Sequence, residues 1–210
     1  PQPTIAQIRD ITKQVIAALR SFQRLQIVHR DLKPDNIMID AQGKITLIDY
    51  GSAYVASLAE NADYITEDFP QGELHYTAPE TLRTMHSDHQ SDLFSLGVIF
   101  YQLLTGQLPF KPKSRSQALS ADYSQWLYKP VNTYRSDLPL WVDFALNQAT
   151  QPNPKLRYQA FSELEAALTK PDKTAIKEYK SQPLLKRNPV LFWQSVSMIL
   201  ALLLIISIIN

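Results

Sequence analysis

The 210-residue sequence contains no cysteine and only 5 glycines, and it lacks an excess of charge of either sign. Without cysteine the chain cannot form disulfides, a thiolate metal site or a cysteine nucleophile, and nothing favours an oxidising extracellular destination. The 21 Lys and Arg residues balance 20 Asp and Glu residues, for a formal net charge of +1. That balance argues against a broadly basic surface that binds nucleic acid. We therefore expect a cytosolic catalytic or binding domain without a nucleic-acid partner.

Hydrophobic periodicity predicts a mainly α-helical chain. Thr4 and Gln7 have the spacing of a capping box, and apolar residues then recur at three- and four-residue steps, which predicts a helix over 4–25. Two short apolar runs on either side of a turn over 40–43 predict a β-hairpin, and the irregular segment over 49–80 predicts a long functional loop. Further helices are predicted over 91–104, which ends near Gly106, and over 114–127, 138–149 and 159–168.

The C-terminal end of the chain is apolar. Residues 190–209 carry no charge, and a helix of that length spans roughly 30 Å, the thickness of a bilayer core. Residues 170–187 before it hold six Lys and Arg against two Asp and Glu, which by the positive-inside pattern places the preceding domain in the cytoplasm. We predict a single-pass C-terminal anchor in the lipid bilayer. The alternatives are a buried core helix for residues 190–209 and a solvated linker for residues 170–187.

The predicted hairpin brings oxygen ligands together. Asn36 precedes its first strand and Asp49 follows its second, so antiparallel pairing places them side by side, with Asp31 five residues before Asn36. Amide and carboxylate oxygens suit a hard cation such as Mg²⁺, and a neighbouring carboxylate can act as a base. Lys33 adds a positive charge two residues from Asp31. This combination favours phosphoryl transfer, in which catalysis is mainly positioning and charge neutralisation.

The same residues resemble a known family. The segment Val28-His29-Arg30-Asp31-Leu32-Lys33-Pro34-Asp35-Asn36 resembles the catalytic loop of eukaryotic-type (Hanks-type) serine/threonine protein kinases. Four further segments resemble that family's motifs in the same order, over residues 4–169: Asp49-Tyr50-Gly51, Ala78-Pro79-Glu80, Ser91-Asp92-Leu93-Phe94-Ser95-Leu96-Gly97 and Asn153-Pro154-Lys155-Leu156-Arg157-Tyr158.

This resemblance implies a mainly α architecture. Residues 1–169 would form the large (C-terminal) lobe of a protein kinase, with a short β-hairpin at the catalytic loop. Residues 170–188 would form a basic juxtamembrane linker and 189–210 a transmembrane helix. Anchoring of this kind resembles that of bacterial membrane-anchored kinases, which implies the bacterial inner membrane as the location. Some of those proteins carry a phosphatase domain upstream, so such a domain is a candidate partner in the full-length protein.

The resemblance also implies roles for individual residues. Asp31 would accept or orient the proton of the substrate hydroxyl, and Lys33 would stabilise the transferring phosphate of ATP. Asn36 and Asp49 would hold Mg²⁺ or Mn²⁺ between the ATP phosphates. Lysine at position 33 follows the serine/threonine-kinase pattern, which implies protein substrates with Ser or Thr hydroxyls. Structural support is implied for His29, Arg30, Glu80, Asp92 and Arg157, with Glu80 and Arg157 as a buried ion pair.

Asp92 has two compatible interpretations. Its position at a helix start is typical of an N-cap, whereas the resemblance implies that its carboxylate holds the backbone of the catalytic loop.

Three hydroxyl groups in the predicted loop are candidate phosphorylation sites: Ser57, Tyr64 and Thr66. The nearby Arg30 could pair with a phosphate placed there.

Two departures from the family pattern affect the functional prediction. Glu73 stands where the family commonly has Thr, and its carboxylate could pair with Lys33 or repel Asp31. The Gly-rich loop, the Val-Ala-Ile-Lys segment and the glutamate-bearing helix of the small lobe do not occur in the sequence. We expect this chain to be a truncated large lobe that binds ATP poorly and is inactive alone. The alternatives to a kinase are a non-catalytic, pseudokinase-like membrane scaffold and a small-molecule phosphotransferase.

Overall fold

The computed structural model describes residues 3–55, 74–84, 87–111, 123–170 and 189–209, together with positions 174, 176, 177, 181 and 183. The chain divides into two compact units, residues 1–171 and 172–210. The described part of the first unit is mainly helical with two pairs of short strands, as the sequence predicts.

Helix α1, Ile5–Arg24, begins with the predicted capping box. The Thr4 hydroxyl accepts a hydrogen bond from the Gln7 backbone N–H at 3.3 Å, and the Gln7 side chain accepts one from the Thr4 N–H at 2.9 Å. These contacts satisfy backbone donors that a helix start otherwise leaves unpaired. The apolar face of α1 is buried through Ile8, Val15, Ile16 and Leu19, so the predicted helix over 4–25 is confirmed.

Four short strands form two antiparallel pairs. Strand β1 is Ile27–Val28 and pairs with β4, Tyr54–Val55. Strands β2, Ile37–Ile39, and β3, Ile45–Leu47, form the predicted hairpin, with Ile37 opposite Leu47 and Ile39 opposite Ile45. Gly43 in the hairpin turn has a φ of +79°, a left-handed conformation that glycine adopts without strain.

Helix α2, Pro79–Thr84, precedes the long central helix α3, His89–Thr105. The α3 N-cap is Asp88, whose carboxylate accepts bonds from the N–H groups of Gln90 and Ser91. Asp92 lies inside the helix, so the interpretation of Asp92 as the N-cap is wrong. Helix α3 ends at Gly106, whose φ of +70° gives the left-handed cap that the sequence predicts.

Two further helices pack against α3 and α1 to close the core. Helix α4 is Leu140–Ala149 and α5 is Phe161–Thr169, close to the predicted ranges. A side chain at Gly97 on α3 would place its Cβ 2.9 Å from both the Ala149 Cβ and the Thr150 Cγ2. Only glycine therefore allows α3 to approach the end of α4 this closely.

The structure differs from the helix predicted over 114–127. Residues 112–122 lie outside the described residues, and Tyr123–Gln125 form a short 3₁₀ turn rather than an α-helix. Trp126 is non-helical and buried, with its ring centroid 5.2 Å from that of Phe110 in an edge-to-face arrangement. Aromatic packing in the folded protein thus overrides the local helical pattern at this end of the segment.

The second unit contains helix α6, Pro189–Ile209. None of the described helices combines the length and the apolar character that crossing a membrane requires. The transmembrane helix that the sequence predicts is therefore not confirmed.

Candidate active site

The catalytic-loop residues gather around the carboxylate of Asp31. The Lys33 Nζ lies 3.1 Å from the Asp31 Oδ2, and the two side chains retain only 15% and 14% of their accessible surface. The Asn36 amide nitrogen donates to the same Oδ2 at 3.0 Å and to the Asp31 backbone carbonyl at 2.7 Å. The 3₁₀ turn Pro34–Asn36 makes this convergence possible, because it folds the chain back within five residues. The Lys33 ammonium and the Asn36 amide therefore both contact one oxygen of the Asp31 carboxylate.

The hairpin brings Asp49 to the same end as Asn36. The Ile48 N–H donates to the Asn36 carbonyl at 3.0 Å, which continues the pairing of β2 with β3 by one step. Asp49 follows directly, with an exposed side chain and a φ of +62° that turns the chain out of the strand direction. Its Oδ1 accepts from the Gly51 N–H at 3.2 Å. The hairpin thus juxtaposes the two residues, as the sequence predicts.

The donor chemistry of Asn36 and Asp49 fits Mg²⁺ or Mn²⁺. The Asn36 amide nitrogen is engaged by Asp31, so its oxygen is the atom left to act as a ligand, and Asp49 follows β3 at the same end of the hairpin. Mg²⁺ commonly binds one or two protein carboxylates and completes its shell with waters and substrate phosphates. Within the described ranges no group of three or more His, Cys, Asp or Glu side chains forms a metal site. A cation here would depend on a phosphate-bearing ligand for further oxygens.

Asp92 on α3 holds the backbone of the catalytic loop. Its Oδ2 accepts from the His29 N–H at 2.8 Å and its Oδ1 from the Arg30 N–H at 2.9 Å. Complete burial raises the pKa of Asp92 to about 6, while the two N–H donors favour the charged form and limit that rise. Arg30 has a φ of +70°, and the bond to its N–H helps to maintain this unfavourable conformation.

His29 is a packing residue in this structure. Its ring is fully buried, 6.2 Å from the ring of Phe22 and 5.7 Å from that of Tyr50. Burial lowers the pKa of His29, although the nearby carboxylates of Asp31 and Asp49 oppose this shift. A neutral imidazole in an aromatic cluster supports the loop and is poorly placed to act as a base. The Tyr50 hydroxyl donates to the Leu47 carbonyl at the end of β3.

Glu80 and Arg157 form the ion pair that the resemblance implies. The Arg157 Nη1 lies 2.7 Å from the Glu80 Oε1, and its Nη2 lies 3.1 Å from the Oε2. The Arg157 guanidinium is fully buried and also donates to the carbonyls of Gln90 and Gln151. The pair joins α2 to the segment before α5, and it lies outside the Asp31 cluster.

Four predicted residues lie outside the described part of the chain: Ser57, Tyr64, Thr66 and Glu73. Arg30, the predicted phosphate partner, lies with its guanidinium carbon 6.0 Å from the ring centroid of Tyr54. Phosphorylation of the loop and the effect of Glu73 therefore stay predictions.

Sequence reasoning missed one residue that contacts the hairpin. Gln14 on α1 accepts a bond from the Ile45 N–H at 3.0 Å and donates to the Gly43 carbonyl at 2.9 Å. The sequence shows only a polar residue on an amphipathic helix, so no local signal distinguishes Gln14 from its solvated neighbours.

Comparisons with known proteins agree with these motifs. The family model described as "Protein kinase domain" matches residues 3–177. The chain is 30% identical over 157 residues to serine/threonine-protein kinase PrkC of Bacillus subtilis, covering 75% of this chain and 24% of that protein. It is 33% identical over 168 residues to the probable serine/threonine-protein kinase CE0033 of Corynebacterium efficiens, covering 78% of this chain and 25% of that protein.

A third relative shows higher identity over a shorter range. Serine/threonine-protein kinase pkn3 of Myxococcus xanthus is 38% identical over 109 residues, covering 50% of this chain and 20% of that protein. The chain thus spans a quarter or less of the length of these curated relatives.

Proposed function

The chain belongs to the protein kinase family, and from that membership we propose that the protein transfers the γ-phosphate of ATP to Ser and Thr hydroxyls of protein substrates. The observation that carries the proposal is the convergence of Lys33 and Asn36 on the Asp31 carboxylate, at 3.1 and 3.0 Å, beside the hairpin end that bears Asp49. The relatives named as serine/threonine-protein kinases support the substrate class.

Each group in the cluster has a distinct task in such a reaction. Among the described residues, both side-chain contacts to the Asp31 carboxylate use Oδ2, so Oδ1 is the atom that we assign to accept the proton of a substrate hydroxyl. Lys33 places a positive charge beside the position of the transferring phosphate. Asn36 and Asp49 supply oxygen ligands for a divalent cation, which when bound neutralises charge on the phosphates.

We infer further that residues 1–169 correspond to the large lobe of the kinase domain. The hairpin, the catalytic loop and the central helix α3 support this inference. The Gly-rich loop and the Val-Ala-Ile-Lys segment do not occur in the 210 residues. The test of activity therefore uses the complete natural protein.

The proposal predicts phosphate transfer that depends on Asp49. With radiolabelled ATP, Mg²⁺ and a mixture of Ser- and Thr-containing peptides, the wild-type protein should label the peptides. Asp49→Ala removes one of two proposed cation ligands and should lower the rate by more than the roughly ten- to hundredfold that loss of an outer-shell partner of a metal site costs. The exposed Asp35→Ala is the matched control and should keep the wild-type rate. Equal labelling by wild type and Asp49→Ala would favour the non-catalytic scaffold.

We propose in addition that α6 associates with a lipid bilayer and holds the kinase domain at the cytoplasmic face of a bacterial inner membrane. Residues 190–209 lack charge, the preceding stretch is basic, and side chains such as Trp193 and Leu204 are about 60% exposed. The full-length protein should float with anionic vesicles at high salt. Leu200→Lys, which adds a charge to this helix, should reduce the floating fraction severalfold. Equal flotation of the two proteins would contradict the proposal.

A further inference from the structure

The candidate active site is held from two sides of the fold. Asp92 on α3 holds the backbone of the catalytic loop through two bonds of 2.8 and 2.9 Å. The hairpin that carries Asn36 and Asp49 is bonded instead to α1, through the side chain of Gln14. The relative position of Asp31 and the two cation ligands therefore depends on both helices.

Gln14 contacts the outer edge of β3. The Ile48 N–H and the Lys44 carbonyl bond across to the partner strand, so the intervening Ile45 N–H points away from it. The Gln14 side-chain oxygen accepts from that N–H, and its amide nitrogen donates to the Gly43 carbonyl. One amide thus satisfies a donor and an acceptor on this edge, as a neighbouring strand would.

The orientation of the Gln14 amide is itself supported. Its nitrogen also donates to the Asp10 Oδ2, one turn earlier on α1, at 3.0 Å. Gln14 is partly buried between the helix and the hairpin. These contacts fix the hairpin along its strand direction relative to α1.

A two-stranded hairpin needs such support. Each strand has three residues, and isolated hairpins are marginally stable in water. A shift of β3 by one residue would move Asp49 by about 3.4 Å, more than the length of a bond from oxygen to a metal ion.

We propose that Gln14 is a positioning residue for the divalent-cation ligands: its amide fixes the hairpin against α1 and thereby the place of Asn36 and Asp49 relative to Asp31. This inference rests on the proposed phosphotransfer function for its biological meaning. A purely structural role would lower the free energy of unfolding and leave cation affinity unchanged.

Mn²⁺ binding distinguishes these two roles. Free Mn²⁺ is measured by electron paramagnetic resonance in a titration of the complete protein with a non-hydrolysable ATP analogue present. Gln14→Met, which keeps the length of the side chain but loses both bonds to the hairpin, should weaken Mn²⁺ binding about tenfold, the lower end of what loss of support around a metal site costs. Gln14→Glu keeps an acceptor for the Ile45 N–H but turns an anionic oxygen toward the Gly43 carbonyl and the Asp10 carboxylate, so it should also weaken Mn²⁺ binding.

Arg9→Met is the matched control on the same helix. Arg9 donates to the Leu168 carbonyl at 2.8 Å and contacts Trp141, so its loss affects stability away from the hairpin. The Mn²⁺ affinity of the Arg9→Met variant should stay within about twofold of wild type, because the hairpin keeps its bonds to Gln14. Hydrogen exchange at the Ile45 amide should be faster in Gln14→Met and unchanged in Arg9→Met.

Two results would overturn the inference. One is wild-type Mn²⁺ affinity in Gln14→Met, and the other is an equal loss of affinity in Arg9→Met. If the wild-type protein binds Mn²⁺ and the ATP analogue but transfers no phosphate from ATP, the proposed phosphotransfer function is wrong. The comparison of Gln14→Met with Arg9→Met would still decide the role of Gln14.

Discussion

Replacing Asp31 by Asn should lower kcat by about 10²–10⁴, the range associated with loss of a general base. The two side chains have nearly the same size, so the Lys33 and Asn36 contacts at 3.1 and 3.0 Å can persist through the remaining oxygen. The amide cannot accept a proton from the substrate hydroxyl. The KM for ATP should change little, because Asn36 and Asp49 are untouched.

Asp35→Asn provides the control for this charge change. Asp35 lies in the 3₁₀ turn Pro34–Asn36, four residues after Asp31, and its side chain is exposed. The variant removes one negative charge close to the site without altering the Asp31 carboxylate, and its kcat should equal that of wild type. Initial rates of peptide phosphorylation under saturating ATP measure both variants. Full activity in Asp31→Asn would show that Asp31 is not the proton acceptor.

Replacing Arg157 by Met should lower the free energy of unfolding by about 3–5 kcal/mol, the cost of breaking a buried ion pair. The variant leaves the Glu80 carboxylate, which is only 16% exposed, without its cation. It also removes the guanidinium bonds to the carbonyls of Gln90 and Gln151. The stacking of the guanidinium over the Phe94 ring, 5.0 Å away, is lost as well. Urea denaturation followed by circular dichroism measures the change.

Arg135→Met is the corresponding change in an ion pair that is open to solvent on one side. Arg135 makes two bonds of 2.7 Å to Asp137, whose side chain is 63% exposed, and one bond of 3.0 Å to the Leu104 carbonyl. Loss of Arg135 leaves an exposed carboxylate rather than a buried one, so the urea midpoint should move less than in Arg157→Met. Combining Arg157→Met with Glu80→Leu should recover part of the lost stability, since the uncompensated charge is removed. Equal midpoints for Arg157→Met and wild type would show that burial of the pair has no energetic consequence.

Local sequence determined the helices and the hairpin where packing agreed with the local pattern. The capping box at Thr4 and the glycine after α3 act within a few residues, so their effects could be predicted without a fold. The same holds for the cluster of Asp31, Lys33 and Asn36, because one 3₁₀ turn and one hairpin suffice to assemble it. Family resemblance added the Asp92 and Arg157 contacts, which span 62 to 77 residues and leave no local signal.

The tertiary structure alone decided which polar residues support the site. Periodicity places Gln14 on a face of α1, but its bonds to residues 43 and 45 depend on how the hairpin packs against that helix. The non-helical course around Trp126 likewise follows from an aromatic cluster formed by distant residues. The absence of cysteine excluded disulfides from the sequence alone, and the near-zero net charge argued against a broadly basic surface. The contacts that hold the catalytic groups in place could be known only from the folded chain, because they join residues that the sequence keeps far apart.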